Sequence, residues 1–224
     1  MRVKDSIKTV IDKGIAAVVS SDNFQRTQFN FRRRHGSTIQ VINIQPSAEN
    51  MGNASTFYIN IGIAFDELWQ HFGMVIPTQP MEYDCHFRAR LEQLFSDCPK
   101  YWVVSGDSFT TQFFKQVSRF GGREIASNES EVDQVIIFLS LQIRKAVSVL
   151  NQIDSPRTFL DHFWKDKPKG GNAMLNPLLA YVTGNLDEAW NELTKISKQF
   201  SDRPGMSVAE LVNSLQLEKL KSRS

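Results

Sequence analysis

Polar and apolar residues alternate with a period of two between Phe29 and Phe65, and the spacing lengthens to about 3.6 over most of the chain after Ser108. Phe57, Ile59, Ile61, Ile63 and Phe65 alternate with Tyr58, Asn60, Gly62 and Ala64, which predicts a strand with one core face and one polar or small face. Ahead of it, Phe29 and Phe31 alternate with Asn30, Arg32 and Arg34, and His35-Gly36 supplies the tight turn of a hairpin. Thr38 to Gln45 places Ile42 and Ile44 on one face and Ile39 and Val41 on the other, as expected of an interior strand. Pro46 ends it by withdrawing a backbone donor.

Ile7, Val10, Ile11, Ile15 and Val18 recur at helical spacing, so residues 4 to 20 are predicted to form an amphipathic helix that covers the sheet. Cys85, Phe87 and Ala89 alternate with His86, Arg88 and Arg90 in a fourth strand, and Tyr101 to Val104 reads as a fifth. Phe109, Phe113, Val117 and Phe120 make a helical stripe closed by Gly121-Gly122. After Asn128 and Glu131, placed as a capping box, Val132, Val135, Ile136, Leu139, Ile143, Val147 and Leu150 keep that spacing. Ile137, Phe138 and Leu141 widen the stripe, which predicts a helix buried on more than one side and central to the packing against the sheet. A shorter helix starts at Ser155-Pro156 and carries Phe159, Leu160, Phe163 and Trp164, followed by a solvated loop at 165 to 172. Two antiparallel helices split at Gly184 come next, then a last helix opened by Ser207 and Glu210, with a frayed basic tail from Lys219.

The pattern defines an α+β fold: an antiparallel sheet of four to five strands covered by helices, with a C-terminal helical segment. The expected organisation is a single domain over 1–224, sheet-rich in 1–105 and helical in 106–220. Composition agrees, since 41% hydrophobic and 22% charged residues are ordinary for a globular chain. A formal net charge of +2 does not by itself imply nucleic acid, because that needs basic residues gathered on one surface. No apolar run approaches a membrane span or a secretory leader, so a cytoplasmic location without membrane association is expected. Cys85 and Cys98 match neither a disulfide framework nor a short metal-ligand spacing.

The segments FNFRRRHGSTIQVINIQPS (29 to 47), FYINIGI (57 to 63), RARL (88 to 91), YWVV (101 to 104) and LLAYVTGNLDEAW (178 to 190) resemble the bacterial family catalogued as domain of unknown function 4304. The resemblance runs over roughly residues 4 to 200. It implies a fold and a bacterial setting, and it transfers no catalytic residue, because the family name carries no established activity.

Candidate chemistry is sparse. Arg32, Arg34, Gln40, Tyr58, Asn60, His86, Arg88 and Arg90 would share one exposed face if the strands lie side by side in register. Such a surface suits phosphate, single-stranded nucleic acid or an acidic protein patch, against the plainer reading that an antiparallel sheet simply keeps one face in water. Cys85-His86 with Glu82 and Asp84 is the nearest thing to an activated thiol, but sequence neighbours on a strand point to opposite faces. Asp161-His162, in an aromatic helix, reads as surface polarity, and Phe163 and Trp164 as partner contacts beside the loop. His35, His71, His86 and His162 show no metal spacing, and no phosphate loop is present, so neither a metal, a cofactor nor a catalytic set is expected. The leading expectation is a non-enzymatic interaction protein with a protein partner, an immunity or defence-associated factor, of unread oligomeric state. The alternative is nucleic-acid or phosphate binding on the Arg-rich face. A weaker third is a hydrolase whose residues converge only in the fold.

Overall fold

The alternating run around Phe57 becomes β4 (Ala54–Phe65), the longest strand of a sheet ordered β1-β2-β3-β4-β6-β7, with β5 also paired to β4. The computed structural model describes residues 3–48, 54–105, 122–126, 129–163 and 172–223. β1 is Gln25–Thr27, β2 Asn30–His35, β3 Thr38–Pro46, β5 Phe87–Arg90, β6 Tyr101–Ser105 and β7 Gly122–Ala126. One edge of β4 pairs with β3 from Phe57 to Phe65, and its other edge is shared. Asn60 to Ile63 pair with β5, and Ala54 to Phe57 pair with β6, so β5 and β6 lie end to end along it. All pairings are antiparallel except β6 with β7, which run parallel. The α+β class holds, and the sheet is wider than the alternation indicates. β1 has three exposed residues and no burial period to read, and β7 begins at the second glycine of a Gly-Gly pair that resembles a helix stop.

Helices cover the face that carries Phe31, Ile42, Ile44, Phe57, Ile59, Ile61, Phe87 and Trp102, all buried. α1 spans residues 3–22 and passes through a π-helical turn at Asp12–Ala16. α4 (Glu129–Leu150) lies against α1, where the Ser140 hydroxyl donates to Gly14 O at 3.3 Å. Its buried side is Val135, Leu139, Ile143, Ala146, Val147 and Leu150, and Phe138 meets Trp102 of β6 with ring centroids 5.8 Å apart. Ile137 and Leu141 are exposed rather than part of a second buried side, because they fall on the helix face turned away from α1 and the sheet. The expected helix at 108 to 120, the cap at Asn128, Trp164 and the loop at 165–171 lie outside the described residues.

Two further contacts bind the C-terminal helices to the sheet. α5, residues 156–163, opens with Pro156 at its first position, and its Phe159 packs edge-on against Phe65 at 5.2 Å. Phe163, expected to be a free partner contact, instead packs edge-on against Phe87 at 5.1 Å, since the strand below presents an aromatic at that height. α2 (Asp66–His71) follows β4 directly, and its His71 Nε2 lies 3.0 Å from Leu215 O. α3 is the short Leu91–Leu94 turn between β5 and β6. α6 (Leu175–Val182) and α7 (Leu186–Gln199) pack as an antiparallel pair, and α8 (Val208–Ser214) carries the predicted Ser207–Glu210 cap. The tail is not frayed: residues Glu218–Arg223 form a 3-10 turn with Leu220 buried, and Arg223 pairs with Asp187 at 2.5 Å. One apolar cluster runs from Val10 through the sheet to Leu220.

Gln40 is a polar residue on the covered face, fully buried beside Thr38 and Arg33. Its Nε2 donates to Leu150 O at 2.8 Å and Ile153 O at 2.7 Å, the carbonyls at the end of α4, and its Oε1 accepts from Arg33 Nε at 2.8 Å. Beside it, the β2–β3 turn docks on Asp154, with Ser37 N donating to Asp154 O at 2.8 Å. Gly36 takes φ +58° there, and a Cβ would stand 2.2 Å from Asp154 O. We expect Gln40→Leu to cost about 2 kcal/mol or more, because it leaves the buried Arg33 Nε without its acceptor and takes one donor from two buried carbonyls that keep a single bond each. Gly36→Ala should cost about 2 kcal/mol from its backbone angle and the forced displacement of Asp154. Urea unfolding checks both, and a loss below 1 kcal/mol for Gln40→Leu would remove the network from the list of stabilising features.

Candidate functional site

Register decides which predicted residues meet on the other face. Arg32, Val41, Gly62 and Arg88 form one cross-strand row, Asn30, Asn43, Asn60 and Arg90 the next, and Gln45 stands opposite Tyr58. Arg34 lies in the row of Ile39 and Ala64. Arg32, Arg34, Tyr58, Asn60, Arg88 and Arg90 therefore share this face, and His86 joins them just ahead of β5. Gln40 does not belong to it. Two residues from Ile42, it points to the core, as a period of two requires, and hydrogen bonding makes its burial tolerable.

The face is neither wholly open nor wholly basic. Residues 72–86 cross it as a strap over a second apolar cluster of Ile39, Val41, Ala64, Trp69 and Cys85, with Ile76 packed against it. Cys85 presses so close to β4 that a Cβ at residue 62 would lie 2.6 Å from its Sγ, which explains the glycine there. The arginines hold the strap and its surroundings. Arg32 Nε donates to Pro80 O at 2.6 Å, Arg88 grips Glu82 with two bonds of 2.8 and 3.1 Å, and Arg34 pairs with Asp66 at 2.5 Å. These contacts use guanidinium geometry that a phosphate backbone would otherwise need.

Beyond the strap, a polar cleft of about 640 Å³ opens beside β5, lined by Gln45, Asn60, Tyr83, Arg88, Arg90 and Gln93 among others. Arg90 lies over the Tyr58 ring at 4.2 Å, and Tyr58 meets Tyr101 edge-on at 6.4 Å. Asn43 Nδ2 donates to Asn30 Oδ1 at 2.9 Å, and Asn60 Nδ2 donates to Asn43 Oδ1 at 3.1 Å and Gln45 Oε1 at 2.9 Å. This amide ladder aligns the floor of the cleft. Sequence reasoning missed Gln45, Asn30 and Asn43, although their parity with Arg32 and Asn60 was there to be read. Tyr83 sits in a 3-10 turn with no periodic signal.

Cys85 and His86 do not act on each other. Burial pushes the Cys85 thiol up to about 12, with Glu82 and Asp84 adding to the effect, and its Sγ donates to Met81 O at 3.5 Å. Burial lowers His86 to about 4, and its Nδ1 accepts the Phe65 N–H at 3.0 Å while its ring packs on Trp69 and Phe65. A neutral, occupied imidazole beside a protonated thiol has no nucleophile to offer. Asp161 pairs with Arg157 at 2.9 Å. Among the described residues, no three His, Cys, Asp or Glu side chains gather as a metal site, and no helix is long and apolar enough to cross a membrane.

Comparison with known proteins gives one positive finding. Residues 15–120 match the model of the family described as domain of unknown function (DUF4304). This segment, from the middle of α1 past β6, is similar to that family, and the match is shorter than the 4 to 200 span of the resemblance read from sequence. No curated protein and no solved structure matches the chain.

The His86 environment generates a pH dependence. Between its folded value of about 4 and the ordinary value near 6.5, the unfolded chain binds a proton that the folded chain excludes. Stability contributed by neutral His86 is thus present above that window, falls as pH drops through it, and levels off below it. Wild type should lose up to about 3 kcal/mol more than His86→Gln between about pH 7 and pH 4. Urea titrations that give parallel pH profiles for the two proteins would refute this.

Proposed function

We propose that the chain is a non-enzymatic interaction protein that holds a protein partner on the open part of the polar sheet face. The observation that carries the reading is the distribution of arginine partners. Arg34 and Arg88 are already matched to carboxylates, whereas Arg90 is presented on an aromatic ring beside an aligned amide floor and the largely exposed Tyr83. Arginine and tyrosine set around a concave polar surface are the side chains that dominate protein–protein contact energies, since they bring large area and directional bonds at modest entropy cost. Nucleic acid would need several unpaired cations along a track, and internal pairing reduces them here. A bacterial setting and an immunity or defence role belong to the same proposal and rest on the family resemblance alone, while a cytoplasmic location rests on the sequence having no membrane-length apolar run.

The test is affinity purification of wild type, Arg90→Glu and Tyr83→Ala from lysate of the native host, with and without nuclease. One protein recovered in near-stoichiometric amount, surviving nuclease and reduced roughly tenfold by both substitutions, is the expected result. Recovery that depends on nuclease-sensitive material, or that is unchanged in both variants, would replace this reading.

A further inference from the structure

Away from the cleft, β1, β2 and residues 78–80, midway along the strap, enclose a second cavity of about 230 Å³. Arg32, Arg33 and Arg34 all line it, together with Gln25 and Thr27 of β1 and Thr78 of the strap. None of its lining residues is acidic. The Arg32 and Arg34 side chains share one face of β2 and stand here beside polar side chains that can donate hydrogen bonds through an amide or a hydroxyl, while the Arg33 side chain turns to the covered face and Gln40.

The charges there are incompletely matched. Arg34 has Asp66. Arg32, half-buried, donates only to uncharged acceptors, Pro80 O at 2.6 Å and the Met81 thioether sulfur at 2.8 Å. A thioether is a weak acceptor for a guanidinium N–H, and a planar cation of this kind favours the paired oxygens of an oxyanion. Two cations and one carboxylate leave one positive charge beside a cavity smaller than the roughly 300–1,000 Å³ of sites for drug-sized ligands.

We propose that this cavity binds a phosphate-type oxyanion, as free phosphate or the terminal phosphoryl group of a small monoester, with Arg32 as its principal ligand. Arg34 supplies a second cationic edge, and Gln25, Thr27 and Thr78 supply neutral donors. Because Arg32 also fastens Pro80, an anion there would tighten the strap onto the sheet. The site is separate from the cleft beside β5 and does not depend on the protein-partner reading.

The full chain is titrated at constant ionic strength with inorganic phosphate, methyl phosphate and dimethyl phosphate, by calorimetry and by thermal midpoint. Saturable binding of the first two with a rising midpoint, and weaker binding of the diester, is the expected result. Preference for methyl phosphate over inorganic phosphate identifies a monoester as the source, and the reverse identifies the free ion. Gln25→Glu places a carboxylate in the exposed edge strand directly across from Arg32, and should lower affinity roughly tenfold or more with the fold intact. Arg32→Gln should do the same, and if it unfolds the protein Gln25→Glu decides. Lys195→Gln removes one exposed positive charge on α7 and should leave affinity unchanged. No saturable binding, equal affinity for the diester, no effect of Gln25→Glu, or an equal loss in Lys195→Gln would each overturn the proposal.

Discussion

A single buried amide sets the arrangement of sheet and helices. Gln40 sits on the apolar face of β3 with its donors committed to the end of α4 and its acceptor to Arg33. Arg33 in turn reaches the last turn of α1 through Asp22 O and lies over the Phe24 ring at 4.6 Å. Two strands and two helix ends are thereby joined at one point. Apolar contacts alone tolerate sliding, whereas a buried amide whose bonds depend on position does not, so this node specifies the register at which α4 crosses the sheet.

The second face solves a different problem. An open antiparallel face with Ile39 and Val41 on it would leave apolar surface in water, and α2 and the strap cover them with Trp69, Cys85 and Ile76. Arginine is suited to fastening such a segment, because its stem packs along the sheet while its fork reaches carbonyls and carboxylates. Much of the positive charge on this face is consequently structural. The cations that the fold has not matched with carboxylates, Arg90 and Arg32, stand beside the cleft at β5 and the cavity at β1.

The C-terminal helices extend the same core. Phe159 and Phe163 reach the sheet through Phe65 and Phe87, and the chain end is held by Leu217 and Leu220 under α6 and α7. Basic residues in the last turn looked like a solvated tail, but Lys219 N donates to the Tyr181 hydroxyl at 3.3 Å and Arg223 pairs with Asp187. Local composition measures solubility. It does not measure whether a leucine every third residue finds a groove.

The strands β2, β3, β4, β5 and β6, the amphipathic α1, the long α4 and the caps of α5 and α8 were legible in the sequence, because each depends on a period or a capping pair spanning fewer than a dozen residues. Six of the eight predicted face residues came together for the same reason, since parity along a strand fixes the side to which a residue points, and parity also placed Gln40 with Ile42 and away from them. His86 reached the face without being available on it. The strap, the pairing of β5 and β6 end to end on β4, the parallel β7 and the matching of each arginine to its acceptor were decided only by tertiary structure. The sheet pairings and the Arg32 and Arg34 contacts link residues about twenty to fifty positions apart, and their energies depend on burial and on distances of a few ångströms that no local pattern encodes.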